Sequence, residues 1–178
     1  DSRDYTVAKA GIKDELYPHT YYTWQPPIEN QGATGNCVAQ SLANIMECID
    51  HKDKQEHKDR SVGYIYGSSE SGTPGMWPRQ ACRALLKDGD IYRETWEYLG
   101  ENPKCHELRE ALPGEIKATA KKIGMYVRIN SEEELKRFMY KYKLPALITG
   151  RTSKLIPGVE STGSHAVVAY GWEGERIL

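Results

Sequence analysis

No stretch of this chain approaches the run of about 18 apolar residues that a membrane-crossing helix needs, and no short apolar segment opens it as a secretory leader would. Neither sign of charge is in excess. A net charge of −1 with 28% charged residues gives no basic or acidic footprint for nucleic acid or an anionic membrane. C-x-x-C pairs are missing as well. The four cysteines, Cys37, Cys48, Cys82 and Cys105, lack the dense spacing of a disulfide-stapled secreted domain. A metal site would need Cys48, His51, His57, Cys105 and His106 to converge, and their spacings fit no standard zinc pattern, so no metal is expected. A soluble protein is predicted. The low cysteine count tilts slightly towards the cytoplasm, although the first residue, Asp1 rather than Met, is compatible with trimming of a leader, propeptide or tag.

What the chain does have is length enough, at 178 residues, for one well-buried domain or two lobes sharing a cleft. Residues 29–43 are the stretch around which it is organised. Two glycines and an Asn set a turn directly before Cys37, and beyond it Val38, Leu42, Ile45, Met46 and Ile49 fall at helical spacing. Cys37 is therefore expected in the first turn of a helix. Unsatisfied backbone N–H groups and the positive end of the helix dipole there favour a thiolate, the form a nucleophilic sulfur requires. Gln31, six residues upstream, is a neutral donor able to fold back beside the sulfur. The bland alternative is a buried Cys packing as a small hydrophobe at an ordinary helix start.

Far along the chain, Gly163-Ser164-His165-Ala166-Val167-Val168-Ala169-Tyr170 puts a His after a glycine turn at the head of an apolar strand, a position suited to a general base facing a cleft. The pattern Gln31-Gly32-x-x-Gly35-x-Cys37-x-Ala39-x-Ser41 resembles the active-site helix of papain-family cysteine peptidases. His165 follows Cys37 by 128 residues, close to the separation of roughly 130–150 in papain-type enzymes. The likeness spans about residues 24–178. Thr34 stands where many members carry a disulfide-forming Cys, and Val38 where they carry Trp or Tyr. With so few cysteines, the chain looks most like the bacterial, disulfide-poor members.

That resemblance implies an α+β, papain-like two-lobed fold: a helical N-terminal lobe and an antiparallel β-sheet or barrel C-terminal lobe, with the active site in the cleft between them. The expected divisions are an extended segment over 1–24, a helical lobe over 25–113 and a β-rich lobe over 114–178. It further implies a cysteine peptidase in which Cys37, His165 and Gln31 are catalytic and Gly75, Met76 and Ala166 bind substrate. Gly75 would offer backbone hydrogen bonds to an extended chain, and Met76 would line the pocket for the second residue on the acyl side. Pro74 departs from the second Gly common there. No cofactor is implied. The implied partners are a peptide or protein substrate and a removed propeptide or protein inhibitor, with no nucleic acid and no membrane span. The same fold and thiol chemistry also serve amidases, transferases and cell-wall hydrolases, and a binding module with a relic site is a third reading. The family's His-orienting Asn aligns about three residues past Leu178, so the sequence is expected to stop short of it.

The remaining segments predict the scaffold. Residues 1–10 read as a loosely tethered tail, and 50–60, with eight charged residues in eleven, as solvated surface. Residues 61–66 form an apolar-aromatic patch suited to pack beneath the cysteine helix. Pro78 opens a helix that Gly89 closes. Pro113-Gly114 marks a lobe boundary. A strand is expected over 125–129, and a capping box at Ser131 starts a helix to about Tyr142 with Leu135, Phe138, Met139 and Tyr142 inward. Further strands are expected over 145–149, 166–170 and 176–178.

Overall fold

A computed structural model describes residues 5–12, 16–69, 75–152 and 163–178. The predicted cysteine helix is α1, Cys37–Lys52. It is nearly surrounded. Val38, Ala39, Leu42, Ala43 and Met46 are all buried, so the helix is a central post rather than a surface element. Packed on it is α2, Val62–Tyr66, the predicted aromatic patch, every residue of which is buried. The Ser61 hydroxyl caps α2 by accepting from the Tyr64 N–H at 3.1 Å.

Next comes α3, Pro78–Lys87, with Pro78 in the first turn, where its missing N–H costs nothing. Gly89 ends it at φ +81°, its N–H reaching back to the Ala84 carbonyl at 3.1 Å. Two short helices follow, α4 at Lys104–Glu110 and α5 at Gly114–Lys117. Further along the chain comes α6, Glu132–Tyr142. Its Ser131 cap accepts from the Glu134 N–H at 3.1 Å, while the Glu134 carboxylate returns to the Asn130 N–H at 2.7 Å rather than to Ser131.

The strands, in chain order, are β1 (Tyr5–Thr6), β2 (Thr20–Tyr22), β3 (Val127–Arg128), β4 (Ala146–Arg151), β5 (Ser164–Ala169), β6 (Gly171–Glu173) and β7 (Arg176–Ile177). Among the described residues they make three small sheets and no closed barrel. β4 and β5 are antiparallel from Ala146 opposite Ala169 to Arg151 opposite Ser164. β2, β6 and β7 form an antiparallel trio, and β1 lies parallel to β3.

Two expectations need correction. Residues 5–10 are not a loose tail, since β1 pairs with β3 and Val7 is buried; residues 1–4 lie outside the described part. β2 likewise ties the N-terminal segment to β6. The 50–60 charge run is not all solvated, because Asp50 and Arg60 are each only 1% exposed. Arg60 donates to the Asp50 carboxylate from Nε at 2.8 Å and Nη2 at 2.5 Å, and a buried charge must be paired in this way. Of the two forms expected for the C-terminal lobe, antiparallel sheet or barrel, the described residues show open antiparallel sheets.

Two cores result. One surrounds α1 with Val62, Ile65, Tyr66, Ala81, Leu85 and Cys105, and takes Ala166 from β5. The other joins Leu135 and Met139 of α6 to Ala146, Ala169 and Trp172. Ala166 and Ala169 are three apart on one strand and so face opposite ways. β5 is thus the wall shared by both cores, and one of its faces packs across α1.

Candidate active site

Cys37 is the first residue of α1. The preceding Asn36 is buried but makes no capping bond, its Oδ1 accepting nothing. The first intrahelical bond runs from the Gln40 N–H to the Asn36 carbonyl at 2.9 Å. The N–H groups of Cys37, Val38 and Ala39 therefore have no helical acceptor, and no acidic side chain occupies the first turn. This is an anion-ready helix head. Cys37 itself is half-buried.

The loop before it is built by local bonds. Gly32 takes φ +66°, a conformation that favours glycine, and its N–H donates to the Asn30 side chain at 2.9 Å. The Gln31 amide donates to the Thr34 carbonyl at 2.6 Å while the Thr34 hydroxyl donates to the Gln31 carbonyl at 3.1 Å. One N–H of the Gln31 amide is thereby engaged, which fixes the group and leaves the second.

His165 is the second residue of β5, opposite Gly150 of β4 and half-buried. Its neighbour Ala166 lies in the core that contains Val38, Ala39 and Leu42. The fold thus sets the His165 strand against the Cys37 helix. No hydrogen bond joins the imidazole to the sulfur.

Of the substrate-binding candidates, Gly75 has φ +101° and open space where a Cβ would stand. Its N–H donates to the Tyr66 hydroxyl at 3.2 Å, so half of the backbone edge expected for substrate is already occupied. The turn that precedes it, 70–74, lies outside the described residues. Met76 packs partly against the α1 core. Neither Met76 nor Ala166 borders the apolar cavity of about 900 Å³ that lies beside α1, lined by Leu42, Ile45, Trp77, Leu147, Thr149 and others. Trp77, just before α3, is 78% exposed at that rim.

None of the four cysteines is in a disulfide. Burial pushes the Cys48 and Cys105 thiols up to about 12, so both stay protonated and unreactive at neutral pH. The other residues weighed as metal ligands are dispersed as well. His51 stacks on Trp24 at 4.2 Å, the His106 ring meets the Gly67 carbonyl at 2.7 Å, and the Cys105 thiol faces the Gly63 carbonyl at 3.1 Å. His57 sits with Glu47 and Asp59. That trio is already bonded, since Glu47 accepts from the Arg60 N–H at 2.9 Å and Asp59 from Arg93 at 3.2 Å.

Two polar side chains without an expected role here, Tyr66 of the aromatic patch and Glu101, stand next to the site. The Gly35 N–H donates to Glu101 Oε1 at 3.2 Å, and the Tyr66 hydroxyl donates to Glu101 Oε2 at 3.2 Å. Nothing in the local sequence around Tyr66 or Glu101 signals this.

No family model matches the sequence, and no curated protein matches it. Solved structures do. Xylellain, a cysteine protease from Xylella fastidiosa, superposes with a TM-score of 0.70 at 22% identity, over 98% of this chain and 77% of that one. Digestive procathepsin L 3 of Tenebrio molitor larval midgut gives 0.68 at 12% identity, over 89% of this chain and 56% of that one. The cysteine protease of Carica candamarcensis in complex with E-64 gives 0.66 at 18% identity, over 89% and 79%. On that likeness the chain has the papain-like cysteine protease fold.

Proposed function

We propose that the protein is a cysteine peptidase that cleaves peptide bonds through a thioester on Cys37. The observation that carries this reading is the placement of Cys37 at an uncapped helix head with no acidic residue in its first turn and with the His165 strand packed on the same helix. In the reaction the Cys37 thiolate attacks the scissile carbonyl carbon. Its oxygen becomes an oxyanion that accepts from the Cys37 backbone N–H and from the remaining Gln31 amide N–H. Protonated His165 gives its proton to the leaving amine as the C–N bond breaks, leaving a thioester. Water then attacks the thioester, His165 takes a proton from it, and the acid departs as the thiolate re-forms. The Gln31 bond to Thr34 supports the preorganisation that such a donor needs, because an amide already held need not reorient as charge develops.

Gly75, through its carbonyl, Met76 and Ala166 are the proposed substrate contacts. The two cores support a division into a helical lobe over 25–113 and a β-rich lobe over 114–178. Peptides or proteins are the proposed substrates. The test is treatment with E-64, followed by mass mapping of the adduct and by peptide hydrolysis assays. Labelling of Cys37 with loss of hydrolysis is expected; labelling of half-exposed Cys82 instead, with hydrolysis untouched, overturns the assignment.

A further inference from the structure

The three bonds around Glu101 form a continuous chain. It runs from the Gly35 N–H to one Glu101 oxygen, from the other Glu101 oxygen to the Tyr66 hydroxyl, and from that hydroxyl to the Gly75 N–H, with every step 3.2 Å long. Gly35 lies two residues before the nucleophile, and Gly75 lies on the proposed substrate wall. The two segments share no secondary-structure element. Gly35 belongs to the loop that leads into α1, and Gly75 to the loop that leads into α3.

We propose that Tyr66 and Glu101 are positioning residues that set the width of the acyl-side groove, by fastening the turn ahead of Cys37 to the Gly75 wall. This rests on the cysteine peptidase reading. Tyr66 suits the task because its body is anchored. It lies in α2, 1% exposed and packed in the α1 core, so its hydroxyl is a fixed point. Burial raises the hydroxyl above its ordinary value, which keeps the proton it must donate to Glu101. Glu101 is itself placed from behind, because its carbonyl accepts the Cys105 N–H of α4 at 3.2 Å. A carboxylate accepting from two converging donors holds both, and a backbone shift at one end is transmitted to the other.

Tyr66→Phe removes the middle of the chain with almost no change in volume. It leaves the Gly75 N–H without its partner and the wall unlinked from the turn. Two kinds of substrate separate positioning from general structure: a peptide amide with two residues on the acyl side, which reaches Gly75, and one with a single residue, which does not. For Tyr66→Phe a rise in KM of about five- to tenfold is expected on the longer substrate, with kcat near wild type, the scale of one lost hydrogen bond. The shorter substrate should be cleaved as by wild type. Equal losses on both substrates, or none on either, overturn the proposal.

Amide hydrogen exchange reads the same coupling without activity. Glu101→Ala should speed exchange at Gly35 and also at Gly75, which Glu101 does not touch. Faster exchange at Gly35 alone would refute the linkage. A wild-type protein that neither hydrolyses peptide nor labels at Cys37 refutes the peptidase reading instead, and the exchange result still decides the linkage.

Discussion

Replacing Arg60 with Met tests the buried charge network that anchors the far end of the cysteine helix. The guanidinium is 1% exposed. It bonds the Asp50 carboxylate from two nitrogens, donates from Nη1 to the Asp90 carbonyl at 3.2 Å and stacks over the Tyr92 ring at 4.2 Å. Met keeps much of the stem volume and removes all of that polarity. Asp50, also buried, then retains only Lys121, whose Nζ lies 2.8 Å from Oδ1. Removing one partner of a buried pair costs about 3–5 kcal/mol, because a charge is left without its counterpart. For a domain of this size that corresponds to a fall in Tm of roughly 6–20 °C.

The double variant Arg60→Met, Asp50→Leu removes the stranded charge as well. It should recover most of the loss, since buried pairs replaced by apolar residues are often near neutral. Lys121 keeps Asp53 at 2.8 Å and is partly solvated, so it is not stranded in turn. Urea unfolding of wild type, both single variants and the double variant at pH 7 gives the cycle. Asp50 lies near the C-terminal end of α1, remote from Cys37, so Cys37 labelling should change little while the protein is folded. A single variant costing under about 1 kcal/mol, or a double variant no better than the single, would refute the buried-pair argument.

Gln31→Ala should lower kcat about 10²–10³-fold, the usual cost of one oxyanion donor, while leaving Cys37 alkylation nearly intact; unchanged peptide turnover would remove Gln31 from the mechanism. Asp90 is fully buried, its Oδ2 accepts no hydrogen bond, and burial, only partly countered by Arg60, raises its carboxyl well above the ordinary range. A raised folded value means that its stabilising contribution is complete below the unfolded value, near 4, and is lost as pH rises through the folded value. The stability of wild type relative to Asp90→Asn should therefore decline between pH 4 and 8, and a difference independent of pH in urea unfolding would contradict this. Gly89→Ala places a Cβ 2.6 Å from the Lys121 carbonyl oxygen at φ +81°. It should destabilise by at least about 1 kcal/mol, and a Tm equal to wild type would show that the α3 end can relax.

The sequence by itself determined the elements whose signals are local. The spacing from Val38 to Ile49, the Ser131 cap and the Pro78 and Gly89 punctuation each act within a few residues of chain, so α1, α6 and α3 could be read directly. The Cys37 and His165 motifs carried their own context of a glycine turn before a helix and a glycine turn before a strand. What joins those two motifs is not local. Only the tertiary structure set β5 against α1, because that packing buries Ala166 in the same core as Val38, Ala39 and Leu42. The same holds for the pairing of β1 with β3 and of β2 with β6, which drew the N-terminal segment into the sheets. Charge was the poorest guide. Asp50 and Arg60 belong to a run that reads as surface, and they are buried because each neutralises the other in three dimensions. Tyr66 and Glu101 follow the same logic: a hydrogen bond between residues 35 positions apart has no periodicity to betray it, and only folding decides that a phenol and a carboxylate meet between two glycines.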